Sequence, residues 1–226
     1  MKYLNIENLH KFRRAIRNFG ICYTLKFIWL KMNGNIPGQI SLMTNYIKEH
    51  LSNVIEKYKN ITVDLNDYDI PHKIWVCWWQ GYENMPLVCK MCYERLIRLN
   101  KNSEIILLTR ENYNDYVNLS SDIIRLFSEG KINLALFSDI MRNSLLANHG
   151  GIWVDATIWC KEEFDFSYMS KDVWWSIKNS TENVKKESLG HGITEGLWTG
   201  FLQAGVPNNI VNEFVLDCFT EYYKKY

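Results

Sequence analysis

Residues Ala135–Cys160 read ALFSDIMRNSLLANHGGIWVDATIWC. Leu134, Leu136, Phe137, Ile140, Met141, Leu145 and Leu146 recur at helical spacing, which predicts a helix with one broad buried face. Gly150 stands where a left-handed C-terminal cap belongs, and Gly151 permits a tight turn. Ile152, Trp153 and Val154 suit a short buried strand that delivers Asp155 to its exposed end. Asp139 and Arg142 are three residues apart and therefore neighbours on the helix surface.

Working outward, the chain alternates strand and helix from Ile70 onward. Lys73–Trp79 and Glu104–Thr109 read as strands, separated by a helix over Leu87–Asn100. Helical segments near Asn112–Val117 and Asp122–Glu129 lead into the helix just described. Val173–Lys178 reads as a further strand and Asn208–Tyr223 as a final helix. This order predicts an α/β fold with a Rossmann-like nucleotide-binding sheet. Open sheets of that class bind ligands beyond the C-terminal ends of their strands, which is where Asp155 is expected. Taken singly, these residues suit a structural ion pair, a helix cap and a surface aspartate. Taken in order, Asp139, Arg142 and Asp155 suit a phosphorylated sugar donor.

The pattern Ser138-Asp139-x-x-Arg142, then Gly150-Gly151, an aromatic at Trp153 and Asp155-x-Thr157 resembles the DxD sugar transferases. It is most similar to the bacterial capsular polysaccharide synthesis proteins, and also to the sugar-transferring domain of large clostridial toxins. Ile70-Pro71-His72-Lys73-Ile74-Trp75 resembles the first strand of that fold. Leu197-Trp198-Thr199-Gly200-Phe201 resembles a later segment. The resemblance spans Ile70 to the C-terminus and implies a GT-A-type domain that takes a sugar from a nucleotide diphosphate donor, UDP-linked, with retention at the anomeric carbon. The acceptor would be a hydroxyl of a glycan or lipid-linked oligosaccharide. It also implies roles. Trp75 would stack on the base, the alternative for this indole being a place in the core. Asp139 and Arg142 would hold the sugar and phosphates, with Gly151 in the donor-binding set. Asp155 matches the first acid of DxD and reaches the ribose and the metal shell. Thr157 stands where the second acid belongs, so binding of Mn²⁺ or Mg²⁺ by the protein is expected to be weak or indirect, because such hard cations favour anionic oxygens. Trp198 would serve the acceptor side or a loop.

Composition agrees with one α/β domain of ordinary core size. The chain has 226 residues, 47% hydrophobic and 23% charged, and a net charge of +1 that gives no overall signal for nucleic acid. Its nine Trp and thirteen Tyr offer stacking faces for sugars and bases, although most buried Trp fill cores. Six cysteines contain one C-x-x-C, Cys89 and Cys92, with no second pair at zinc spacing. Both are expected as buried free thiols on one helix face beside Val88 and Leu96. With no secretory signal, a reducing cytoplasm is the expected compartment.

The first 33 residues differ from the rest. They contain seven Lys or Arg and one Glu, a net +6 that leaves −5 for the remainder. Phe12, Ile16, Phe19, Tyr23, Phe27 and Leu30 approximate one helical face. The apolar run Ile21–Leu30 is too short to span a bilayer. It suits either a basic helix lying on an anionic membrane surface, on the inner face of the cell membrane, or a helix packed on its own domain. Asn33–Gly38 reads as a linker or turn, and a helix is expected over Ser41–Lys59. Residues 1–69 are thus expected as a basic helical region and 70–226 as the transferase-like domain, with a C-terminus shorter than in relatives.

Other chemistries lack their motifs. Gly190-His191-Gly192 lacks the spacing of a dinucleotide or P-loop phosphate cradle, and G-x-S-x-G is absent. His191 and Glu195 suit an exposed loop or an acceptor-side pair. Two other readings stay open: a catalytically silent relative that binds nucleotide or glycan in an assembly complex, and a peripheral membrane interaction protein. Labelled donors would separate the first from an enzyme, and liposome sedimentation addresses the second.

Overall fold

The computed structural model describes residues 6–63, 68–178 and 198–225. The chain forms two compact units, Met1–Ser52 and Asn53–Tyr226. This division falls upstream of the boundary expected at 69/70, because α4 (Ser52–Tyr58), from its second residue on, belongs with the second unit. Both Lys57 Nζ and Tyr58 Oη donate to the Asp217 carboxylate, at 2.6 and 2.8 Å.

The first unit holds α1 (Ile6–Phe19), α2 (Ile21–Met32) and α3 (Ile36–His50). The expected single basic helix is broken at Gly20, whose φ of 80° lies in the left-handed region that glycine enters without strain. Phe19 and Tyr23, on either side of the break, both pack edge-on against Tyr46 of α3, with ring centroids 5.2 and 5.0 Å away. Much of the expected linker is helix. The Asn35 side chain caps α3 by accepting from Gly38 N at 2.9 Å, and Pro37 fits the first helical turn, where no N–H is needed.

The second unit is a mixed α/β fold. Its sheet comprises β1 (Lys73–Cys77), β2 (Glu104–Leu108), β3 (Gly151–Val154), β4 (Trp174–Ser176) and β5 (Leu202–Gly205). The strand order is β2-β1-β3-β5-β4. β1 pairs in parallel with β2 and β3, whereas β5 runs antiparallel to both β3 and β4. Helices α5 (Leu87–Leu99), α6 (Ser121–Ser128), α7 (Leu134–Asn148), α8 (Phe166–Met169) and α9 (Ile210–Tyr223) complete the unit. β1 is shorter than expected, ending at Cys77, though Trp78 N still reaches Leu108 O at 3.0 Å. Asn112–Val117 yields only a 3₁₀ turn over Tyr113–Asp115.

Strand alternation divides the core. Ile74, Val76, Ile152 and Val154 pack with Leu96 of α5 and Phe166 and Met169 of α8. Trp75 and Trp153 point the other way, toward Leu145 and Leu146 of α7. Beyond them Phe137, Ile140 and Met141 of α7 meet Ile123 and Leu126 of α6, with Leu216 and Phe219 of α9 alongside. Covered from several sides, α7 is buried at every position from Ile140 to Ala147, more than the one face its periodicity implied. Cys89 and Cys92 are buried on α5 as expected, but Val88 is exposed, since it lies next to Cys89 in sequence and so a third of a turn away.

An asparagine network fixes α7 to α9. Asn209 caps α9 by accepting from Asn212 N at 2.9 Å, while its amide donates to Leu146 O and Val206 O. Asn212 Nδ2 in turn donates to Asn143 Oδ1 at 2.9 Å. Replacing Asn209 by Ala removes a cap and the amide bond to the Val206 carbonyl, while Leu146 O keeps its bond from Gly150 N, so it should cost about 2–3 kcal/mol in denaturant unfolding. Trp75 is fully buried and its Nε1 donates to Gly150 O at 2.8 Å. Trp75→Ala should therefore cost about 3–5 kcal/mol. Trp75→Phe, which keeps most of the volume but not the bond, should cost less in the same measurement.

Candidate functional site

The chain leaves β1 toward β2 on one side and later places β3 on the other. The strand order therefore reverses between the C-terminal ends of β1 and β3, which is where α/β sheets open a ligand crevice. Cys77 ends β1 there and Asp155 follows β3. The Asp155 N–H donates to Phe201 O at 2.9 Å, tying this end of β3 to the start of β5.

Asp155 is joined to α7 through Trp153. The indole Nε1 donates to Asp155 Oδ1 at 2.7 Å, and the Arg142 guanidinium lies 5.8 Å from the centre of the same ring. Arg142 Nη2 pairs with Asp139 Oδ1 at 2.9 Å. Arg142 is only 9% exposed, whereas the Asp139 side chain is about half open to solvent. Gly200 packs against the guanidinium so closely that an added Cβ would lie 3.0 Å from Nη2. Arg142 Nε is buried with no hydrogen-bond partner among the described residues. A guanidinium carries five N–H donors, so one carboxylate leaves much of its capacity unused.

Burial holds the Asp155 carboxyl above its usual range, opposed by the Trp153 hydrogen bond and the Arg142 charge, with Asp139 adding to the rise. Nearby, burial pushes the Cys77 thiol up to about 12, which keeps it protonated and unsuited to act as a nucleophile. Among the described residues no three His, Cys, Asp or Glu side chains cluster to hold a metal ion. Thr157 is exposed two residues beyond Asp155, and the Asp139 carboxylate lies close enough to Asp155 to act on its charge. The arrangement can orient and neutralise an anionic ligand. Among the described residues it presents no activated nucleophile.

Asp139, Arg142 and Asp155 thus come together as their spacing suggested. Trp75 does not join them. Its ring lies in the core, edge-on to Tyr116 at 5.6 Å, so its faces are closed to a stacked base. Gly151 starts β3 at the end opposite Asp155. Its φ of 94° and the 2.6 Å that would separate an added Cβ from Lys73 O give it a structural reason to be glycine. Trp198 is half-buried, with its ring 5.4 Å from Trp174, and Thr199 O accepts from Ser176 Oγ at 3.0 Å. His191 and Glu195 lie outside the described residues.

Three participants escaped the sequence reading. Trp153 was read only as strand core, although residues two apart on a strand share a face, so its reach to Asp155 was available from spacing. Gly200 was part of a motif without a stated contact. β5 was not anticipated, and with it Gln203, which pairs opposite Trp153 and whose amide donates to Thr199 O at 2.9 Å.

Comparison with known proteins agrees with this layout at the family level. Over 172 residues the chain is 24% identical to an uncharacterized glycosyltransferase of Acanthamoeba polyphaga mimivirus, a match that covers 69% of this chain and 66% of that protein's length. No solved structure gives a significant match. The family model for capsular polysaccharide synthesis proteins matches residues 35–226, so it takes in every element of the sheet and both arms of the Asp139–Arg142–Asp155 site. The chain belongs to the capsular polysaccharide synthesis protein family.

Proposed function

We propose that this protein is a glycosyltransferase that moves a sugar from a nucleotide diphosphate donor, UDP-linked, to a hydroxyl of a capsular or other surface polysaccharide intermediate, with the second unit acting as a GT-A-type domain. The observation that carries the reading is Arg142. Among the described residues it is a buried cation with one carboxylate partner and an unmet Nε–H, at the strand ends where α/β sheets take ligands. An anionic diphosphate would meet that unused capacity through charge-assisted bonds. Family membership and the relative named as a glycosyltransferase support the same conclusion.

In the proposed reaction the bond from the anomeric carbon to the donor phosphate breaks, and a bond to the acceptor oxygen forms. The nucleoside diphosphate departs with the electron pair, and its oxygen takes up the proton that the acceptor hydroxyl releases. Arg142 stabilises the charge that develops on the departing diphosphate. Asp139, half-open and held by Arg142, accepts from donor hydroxyls. Asp155, steadied by Trp153, orients the ribose and sugar, a positioning role rather than proton transfer. Trp198 serves the acceptor side. A divalent cation, Mn²⁺ or Mg²⁺, would be held chiefly by the diphosphate, with Asp155 directly and Thr157 indirectly on the protein side, and would supply further charge neutralisation.

Thr157 favours a second reading, a silent relative that binds nucleotide without transfer, because a hydroxyl replaces the second acid of DxD. Incubation with labelled nucleotide sugars decides between them: release of nucleoside diphosphate supports transfer, and binding without turnover supports the silent form.

Asp155→Asn should reduce transfer by about 3–4 kcal/mol at the transition state, measured as kcat/KM. The same variant should be no less stable at neutral pH. A carboxyl whose folded pKa is raised costs stability as pH rises past the ordinary aspartate value, and the amide removes that cost. Stability against pH should accordingly be flatter in the variant. For the cation, calorimetry should find weak binding to the protein alone and much tighter binding once nucleoside diphosphate is present. Tight binding without nucleotide would overturn the proposed ligand set.

A further inference from the structure

Helix α2 is apolar on two sides. Tyr23 and Leu30 face into the first unit, where Tyr23 meets Tyr46 and Leu30 lies against Gly38. On the other side Ile21, Leu25, Trp29 and Met32 are 56, 52, 62 and 82% exposed. At 100° per residue these four fall within an arc of about 80°, so they form one continuous strip. Exposed lysines bound it, Lys26 on one flank and Lys31 on the other. A large apolar strip of this kind marks an interaction surface rather than ordinary surface scatter.

The same unit carries a strongly basic helix. On α1 the side chains of His10, Lys11, Arg13, Arg14 and Arg17 line one groove, and Arg13, Arg14 and Arg17 are all exposed. The first 33 residues carry a net +6, against −5 for the remainder, so the exposed strip belongs to the basic part of the chain. No helix among the described residues is long and apolar enough to cross a membrane. An exposed apolar strip bounded by lysines, on a helix whose other side is packed inside its own unit, can instead enter the bilayer interface without spanning it.

We infer that the Ile21–Met32 face of α2 docks on an anionic lipid bilayer, its apolar strip entering the headgroup boundary while Lys26, Lys31 and the α1 arginines meet lipid phosphates. Charge selects this occupant over a second copy of the chain. Self-pairing through the strip would bring Lys26 and Lys31 of both copies together, whereas an anionic surface attracts every basic group named. Trp29 suits the position, since an indole combines an apolar body with a polar N–H and favours the boundary between water and hydrocarbon.

The test uses the full chain in sedimentation with phosphatidylcholine vesicles, with and without phosphatidylglycerol. Wild type should partition onto the phosphatidylglycerol vesicles and only weakly onto pure phosphatidylcholine. L25E/W29E, altered at positions already exposed, should keep its circular dichroism spectrum and lose binding by about tenfold or more. R13E/R17E, which leaves the strip intact, should lose binding by a similar factor, and added salt should weaken the wild type. Wild-type binding by L25E/W29E would overturn the proposal, as would equal binding to both vesicle types. A concentration-dependent dimer abolished by L25E/W29E would assign the face to self-association instead. Each readout is binding, so the result is independent of whether the chain transfers sugar.

Discussion

The turn at Gly150 and Gly151 is the constraint on which the second unit depends. It joins α7 to β3 with almost no intervening chain, and both glycines have φ in the left-handed region, at 65° and 94°. Neither position has room for a side chain, since Pro207 crowds one and the Lys73 carbonyl the other. The helix therefore returns along the strand at a fixed offset. Arg142 lies eight residues before Gly150, a rise of about 12 Å along a helix. Asp155 lies four residues after Gly151, about 13 Å along a strand. The two reach the same level because these lengths match. One residue more or less in either arm would swing Arg142 by a quarter turn or move the carboxylate to the other face of the sheet.

Burial of α7 then sets the chemistry of its polar residues. Asn143 and Ser144 have partners inside the protein, in Asn212 and in the Asn118 carbonyl. Among the described residues Arg142 has the Asp139 carboxylate and the ring of Trp153. A cation removed from water with partial compensation is costly unless a further anion meets it. The site thus resembles a charged socket whose walls are made by packing. Asp139 remains open to solvent at its rim, and Asp155 is held in place by an indole that also supports the guanidinium.

Much of this was legible in the sequence, for identifiable reasons. The strands and helices from Lys73 to Val154 follow local periodicity, and the site follows from i, i+3 spacing on a helix and from a strand end after a double glycine. What was not legible depended on distant partners. Trp75 and Trp153 are both indoles on adjacent strands with the same register, yet one bonds a carbonyl at the lower turn and the other a carboxylate at the upper end. Spacing alone gives the Trp153 bond, since Asp155 lies two residues on, but nothing local places Trp75 against Gly150. β5 contains Ala204 and Gly205, poor strand formers that are held by neighbours on both sides rather than by propensity. The break at Gly20 was hidden because apolar spacing continues across it.

The position of β5 between β3 and β4 also has a consequence for how the chain is assembled. β4 precedes β5 in the chain but lies outside it, and pairs with β5 rather than with the older strands. As the polypeptide is synthesised, Trp174 and Trp175 emerge with no strand to receive them. They can join the sheet only after Leu202–Gly205 has closed a long loop back onto β3, a slow and non-local step. Gly200 reaches Arg142 in that same movement. Completion of the site therefore waits on β5, and until then Trp174 and Trp175 are open to misassociation or to a chaperone.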